Sequence, residues 1–214
     1  MLSIANAGNG TLIARVADEI IANKAYLSEI DGKIGDGDHG VNMAKGFARA
    51  SERIAGRDTS LSEAMSELSD VLMSEIGGSM GPLYGMMFMN MAEAIDDKQA
   101  IDADAFAGMI KAGRDGILAI GSAGKGDKTM LDTLIPAVDA FEQSLQSGGD
   151  FVAALAAMKK AAVDGRDSTL DMVAKIGRAS RLGERSRGVL DAGATSCCMI
   201  LSSLADGVSA QLAQ

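Results

Sequence analysis

A chain of 214 residues that is 47 % hydrophobic can bury a good core in one domain, expected to span 1–214. Its net charge of −9, with no basic stripe or cluster, argues against nucleic acid and against an anionic membrane surface as partners. The adjacent Cys197 and Cys198 imply no disulfide framework, and there is neither a signal-like start nor a run of 18 apolar residues, so membrane insertion is not expected and a cytoplasmic protein is.

Aromatics are scarce at 3 %, with no Trp, while there are 14 Met; a core of Ala, Leu, Ile and Met suits closely packed helices. Helical periodicity runs through nearly the whole chain, and no convincing strand alternation occurs. The first helix is predicted over 11–29, where Leu12, Ile13, Val16, Ile20, Ile21 and Leu27 recur at threes and fours. An acidic loop at 30–39 follows, then a helix over 40–54. Ser60, with Glu63 at the capping-box spacing, opens a helix to about 76. Gly77 to Pro82 breaks the pattern before a Met-rich helix over 82–95. Further helices fit 103–120, 129–146, 150–164 and 192–211, giving eight in all. The 166–191 segment, with arginines at 166, 178, 181, 185 and 187, is the longest irregular piece and begins with a possible short helix. Irregular stretches of that length inside a domain usually carry function or are disordered.

Chemistry concentrates in Ile34-Gly-Asp-Gly-Asp-His-Gly-Val-Asn42. Asp36 and Asp38 stand two apart between glycines, Asp31 lies five residues before Asp36, and His39 is the only histidine. Carboxylate oxygens suit hard divalent cations such as Mg²⁺, which usually also engage substrate phosphates. A helix N-terminus just downstream offers N–H groups to anions. Asp-Gly pairs are also ordinary turn and cap residues, but three carboxylates, a histidine and an asparagine in twelve residues favour a metal and phosphate site. A calcium loop does not fit, because the fifth position from Asp36 is Gly40 and the twelfth is Phe47.

Three other loops invite a ligand. Gly121 to Met130 looks like a phosphate loop, but Asp127 separates Gly126 from Lys128 and no strand precedes it, so it is no Walker motif. It remains a flexible glycine loop entering a helix at Thr129, readable as a nucleotide contact or as an ordinary cap. Gly77-Gly78-Ser79-Met80-Gly81 is either a second such loop or a tight interhelical turn. Arg178 and its neighbours either supply cations to phosphates or are simply solvated. Nothing supports a Ser-His-Asp triad or a zinc site.

Together, Gly35 to Gly40 with Asn42, Gly77-Gly78, Gly81-Pro-Leu-Tyr-Gly85, Gly126-Asp-Lys-Thr-Met-Leu-Asp132 and Gly177 to Ser186 resemble the nucleotide-binding L subunit of dihydroxyacetone kinase. The resemblance covers nearly the whole chain in order. It implies an all-α barrel of eight antiparallel helices, with ADP or ATP held by the interhelical loops at one end. It implies two Mg²⁺ ions on Asp31, Asp36 and Asp38, with His39 and Arg178 adding hydrogen bonds or charge near the phosphates. Nucleotide contacts carry over to His39, Gly40, Val41, Asn42, Gly78, Ser79, Met80, Gly121, Thr129, Met130, Arg178, Asp191, Ala192 and Gly193. It further implies phosphoryl transfer to a small ketose held covalently on a separate K subunit. The donor would be a phosphocarrier M subunit of the sugar phosphotransferase system or, in the other family scheme, free ATP; a homodimer is also allowed.

This chain departs from the family at Met80, where Ser is common, at Ala192, where Pro is common, and at Val189, where His is frequent. Those changes suit a relative acting on another small ketose such as a tetrulose. A non-catalytic nucleotide-binding regulatory module is the rival of another class, and a purely structural bundle a third.

Overall fold

The first predicted helix is in fact two. In the structure, a computed structural model that describes residues 2–213, α1 (Thr11–Ala22) ends at Asn23 and α2 (Lys24–Ile34) begins directly after it. Asn23 turns its Nδ2 back onto the Glu19 carbonyl and carboxylate, both at 2.9 Å, an internal cap that competes with a continuous helix. Met1 and Gln214, the ends of the expected domain, lie outside the described residues.

The remaining helices are α3 (His39–Ile54), α4 (Leu61–Glu75), α5 (Met80–Glu93), α6 (Ala103–Ile120), α7 (Leu131–Gln146), α8 (Phe151–Ser168) and α9 (Ala192–Leu212), so the described residues hold nine α-helices rather than eight. The capping box forms as predicted: Ser60 Oγ accepts from Glu63 N at 3.1 Å, and Glu63 accepts from Ser60 N at 2.7 Å. The expectation of no strands is corrected on a small scale. Ser3–Ala5 (β1) and Ala100–Asp102 (β2) pair antiparallel and tie the start of the chain to the α5–α6 connection. Strands of three residues are too short to show a period in sequence.

Helices pack mostly on their chain neighbours, from α3 through α9, and α1 lies against both α3 and α9, so the packing order closes on itself. One core cluster runs from Ile4 to Val208. Phe106, Phe141 and Phe151 meet at centroid distances of 5.2 to 6.1 Å, and Phe47 meets Phe88 edge-on at 6.0 Å. Fully buried Met43, Met65, Met87, Met109 and Met158 fill the space around these few rings, a use their flexible chains suit. Cys197 and Cys198 are free and buried in the core.

Two features shape the end of the packing where the polar loops meet. Pro136 lies inside α7, where it cannot donate to the Asp132 carbonyl. Gly165 of α8 packs over that bared carbonyl; a Cβ there would lie 2.3 Å from the oxygen. Between α8 and α9 the chain is irregular, with 3-10 turns at Thr169–Asp171 and Arg178–Ser186. No described helix is long and apolar enough to cross a membrane.

Candidate functional site

Alternate connections in the packing order come to one cleft of about 650 Å³. The α2–α3 turn supplies Gly35, Asp36 and Asp38; the α4–α5 link supplies Gly77, Gly78 and Ser79. The α6–α7 loop brings Gly121, Lys128, Thr129 and Met130, and the α8–α9 segment brings Gly177, Arg178 and Asp191. Four helices, α3, α5, α7 and α9, therefore begin at this cleft. Each helix start presents unpaired N–H groups and a partial positive charge, so their convergence favours an anion. At α5 no side chain caps the helix, which leaves its first N–H groups to a ligand, while at α3 the Asp31 carboxylate takes the His39 N–H.

The acidic wall is built around Asp31. The predicted acidic loop is shorter than expected, because α2 continues through Ile34 and carries Asp31 on its last turn. Gly35 then passes so close that a Cβ would sit 2.4 Å from Asp31 Oδ1. Gly37, at φ 76°, reverses the chain in a conformation that other residues rarely adopt. His39 N closes the turn by donating to Asp31 Oδ2 at 3.2 Å. The result brings one ligand oxygen from each of Asp31, Asp36 and Asp38 within 4.8 Å of one another, with Asp36 and Asp38 exposed. Arg178 reaches across to pair with Asp36. Three carboxylates against one guanidinium leave negative charge that a cation would neutralise, and an all-oxygen donor set fits Mg²⁺.

His39 is a neutral group here. Burial pushes its imidazole pKa down to about 4, against the partly opposing charge of Asp31. Its Nε2 meets Ser196 Oγ at 2.9 Å, Ser196 Oγ meets the Tyr84 hydroxyl at 2.7 Å, and Tyr84 also donates to the Gly193 carbonyl at 2.9 Å. Tyr84 and Ser196 thus fix the ring between α5 and α9. Sequence reading gave no role to Ser196, since its partners lie 112 and 157 residues away.

The opposite wall contains polar residues whose hydrogen bonds are internal. Asp132, buried in the first turn of α7, accepts from Gly126 N at 2.5 Å and Thr129 N at 2.8 Å and so shapes the glycine loop. Lys128 is buried at a φ of 63°, and its Nζ donates to the carbonyls of Met172, Ser186 and Val189. Burial lowers its pKa, with Asp191 opposing. Asp191 caps α9 by accepting from Ala194 N at 2.7 Å, and burial raises its carboxyl pKa to about 6.

Of the residues singled out in sequence, Asp31, Asp36, Asp38, His39, Asn42, Gly78, Ser79, Met80, Gly121, Thr129, Met130, Arg178, Asp191, Ala192 and Gly193 all line the cleft. Gly40 and Val41 stand off it. Gly40 is where α3 crosses α2, since a Cβ would lie 2.1 Å from the Lys24 carbonyl; Val41 is 46 % exposed. The apolar lining from Ile117, Ile120 and Ile176 went unnoticed, because in sequence these read as ordinary helix and loop hydrophobics, and Pro82, Leu83 and Leu131 stood in quoted motifs without a role.

Residues 33–206 match the DAK2 domain. Over 194 residues the chain is 37 % identical to the Escherichia coli protein named PEP-dependent dihydroxyacetone kinase, ADP-binding subunit DhaL, with 90 % of this chain and 92 % of that one covered. It is 35 % identical over 202 residues to the L-erythrulose kinase of Pectobacterium atrosepticum, covering 91 % of this chain and 33 % of that one. The dihydroxyacetone kinase from C. freundii, solved with AMP-PNP and Mg²⁺, has a similar fold: TM-score 0.69 at 22 % identity over 92 % of this chain and 33 % of that chain.

Proposed function

The chain belongs to the DAK2-domain family, and from that premise we propose that it is the ADP/ATP-binding subunit of a dihydroxyacetone kinase, acting with a ketose-binding K subunit. A phosphocarrier M subunit is the proposed donor, the cytoplasm the proposed location, and residues 1–214 are taken as one domain. The closed packing order is in keeping with the eight-helix barrel of the family. The observation that carries the reading is the meeting of the carboxylate triad with four helix N-termini in one cleft. Relatives matched over nearly their own full length and named as ADP-binding subunits support it.

Asp31, Asp36 and Asp38 would hold two Mg²⁺ ions, which supply charge neutralisation to the transferring phosphoryl group. The protein's own share is positioning and electrostatics. The uncapped start of α5 presents backbone N–H groups to phosphate oxygens. Arg178, paired with Asp36, lies within reach of the same phosphates. His39, held neutral by burial and steered by Ser196, serves as a hydrogen-bonding group and not as a cation. Gly78, Ser79 and Gly121 leave room for the nucleotide's approach, while Ile117, Ile120 and Met130 offer an apolar surface to its base.

Freshly purified protein is heat-denatured, with and without prior chelation, and released nucleotide is identified. Stoichiometric ADP that EDTA removes supports the coenzyme scheme. An empty protein that exchanges ATP weakly points to a direct ATP-dependent kinase, and one that binds neither nucleotide with Mg²⁺ overturns the nucleotide reading. The relatives named as erythrulose kinases, with Met80 and Ala192 in place of the family's usual residues, favour a second reading in which the ketose is a tetrulose. Presenting dihydroxyacetone and erythrulose on the cognate K subunit decides between them.

A further inference from the structure

Lys128 stands in a glycine loop at the edge of a cleft suited to anions, where a lysine would ordinarily be read as a phosphate ligand. Its contacts say otherwise. An ammonium has three hydrogens, and here three carbonyls take them: Met172 at 3.1 Å, Ser186 at 2.5 Å and Val189 at 2.7 Å. No donor is left for a ligand. The acceptors come from both ends of one irregular segment, 172–189, which reaches back over the cleft with Ile176, Gly177, Arg178 and Ala179 in its lining.

The loop around Lys128 is itself held in shape. Asp132 takes the N–H groups of Gly126 and Thr129 on either side, and Lys128 keeps a left-handed backbone that a bulky residue adopts only when its surroundings demand it. Inside the segment, Ser186 Oγ accepts from Ala174 N at 2.9 Å and donates to the Gly183 carbonyl at 2.7 Å, so the segment's two limbs are also tied to each other. The Lys175 N–H donates to the Asp127 carbonyl at 3.2 Å, and the Lys175 ammonium lies 3.3 Å from the Asp127 carboxylate. These last contacts are more peripheral, with Lys175 exposed.

We propose that Lys128 is a positioning residue: its ammonium pins both ends of the 172–189 segment, and so sets the reach of Arg178 over a bound nucleotide and the rate at which that nucleotide leaves. The first part concerns the protein alone; the second rests on the nucleotide-binding reading above. Lys128 touches neither phosphate nor metal and acts through the segment.

The test uses Lys128→Met, which keeps the stem and removes all donors, and Lys128→Arg, whose planar fork cannot meet three carbonyls converging on one point. Amide hydrogen exchange of the whole, nucleotide-free chain is read over 172–189 and over α1 to α7. Lys128→Met is expected to exchange at least tenfold faster in the segment with α1 to α7 unchanged, and Lys128→Arg to fall between it and the native protein. Segment exchange as slow as native in either folded variant overturns the clamp; should Lys128→Met fail to fold, Lys128→Arg decides alone.

ADP release with Mg²⁺ is then followed by displacement. Lys128→Met is expected to release ADP about tenfold faster, and the double variant with Arg178→Ala little faster than Arg178→Ala alone, because one change acts through the other. Multiplicative effects would mean that Lys128 does not act through Arg178 and would overturn that link. A native protein that binds no nucleotide would sink the functional reading and the link to release, while the exchange result still judged the clamp.

Discussion

The two polar walls of the cleft differ in what their side chains are free to do. On the acidic wall, Asp36 and Asp38 are exposed, and among the described residues only Arg178 forms an ion pair with the triad. On the opposite wall, Lys128, Asp132 and Asp191 are also ionisable, yet each is hydrogen-bonded to the protein's own backbone. Charge beside a cleft therefore does not identify a ligand contact. What separates the walls is exposure: Asp36 and Asp38 stand open, while Lys128 and Asp132 are buried against backbone partners.

The sharpest way to break this contrast is to remove a satisfied carboxylate. Asp132→Ala strands two N–H groups in a half-buried loop and should cost about 2 kcal/mol in denaturant unfolding. A variant as stable as the native protein would remove the distinction between the walls. Next, Gly40→Ala attacks the backing of the acidic wall. With the Lys24 carbonyl 2.1 Å and Ser28 N 2.6 Å from the new Cβ, α2 and α3 must part, costing about 2 kcal/mol. Because Asp31 rides on α2, Mg²⁺-dependent nucleotide affinity should fall with it, measured by calorimetry.

A smaller effect comes from Asp191, faced by Lys128, Asp132 and Asp31. Burial raises its pKa from 3.8 to about 6, so the folded form holds the proton more tightly than the unfolded chain. Its contribution is fully present below about pH 4 and is lost as pH rises through about 6. After allowance for solvent reaching the side chain, that loss is about 1–2 kcal/mol. Asp191→Asn keeps a capping oxygen and should flatten this part of the stability profile of metal-free protein between pH 4 and 6; an unchanged slope would assign it elsewhere. Last, Asp36→Asn and Asp38→Asn should shift stability by less than about 0.5 kcal/mol, as exposed groups do. Each should nonetheless abolish Mg²⁺-dependent nucleotide binding, and retained affinity in both would remove the metal assignment.

Legibility in sequence followed the range of the interaction. The capping box at Ser60 and Glu63, the helix starts after the glycine loops and the carboxylate spacing of Asp36 and Asp38 rest on neighbours within a few residues, and all were readable. The break at Asn23 was hidden because the apolar period continues across it, while a local side-chain bond ends the helix. Asp31 was singled out but placed in a loop, since Gly32 and Gly35 read as breakers although α2 runs on to Ile34. Ser196 gave no signal and Tyr84 stood in a quoted motif without a role, their link to His39 being made only when α5 and α9 pack together.

By itself, the sequence determined the helical class and the acidic composition that calls for a cation beside any phosphate, and its resemblance to a family implied the set of loops that would share a site. The first two reside in residue type and short spacing. Tertiary structure decided which charges remained available. Lys128 in a glycine loop and Arg178 in an arginine-rich stretch look equally like anion ligands in the chain. Packing gives the first three backbone carbonyls and leaves the second reaching over the metal loop, because a buried ammonium must find acceptors and an exposed guanidinium need not.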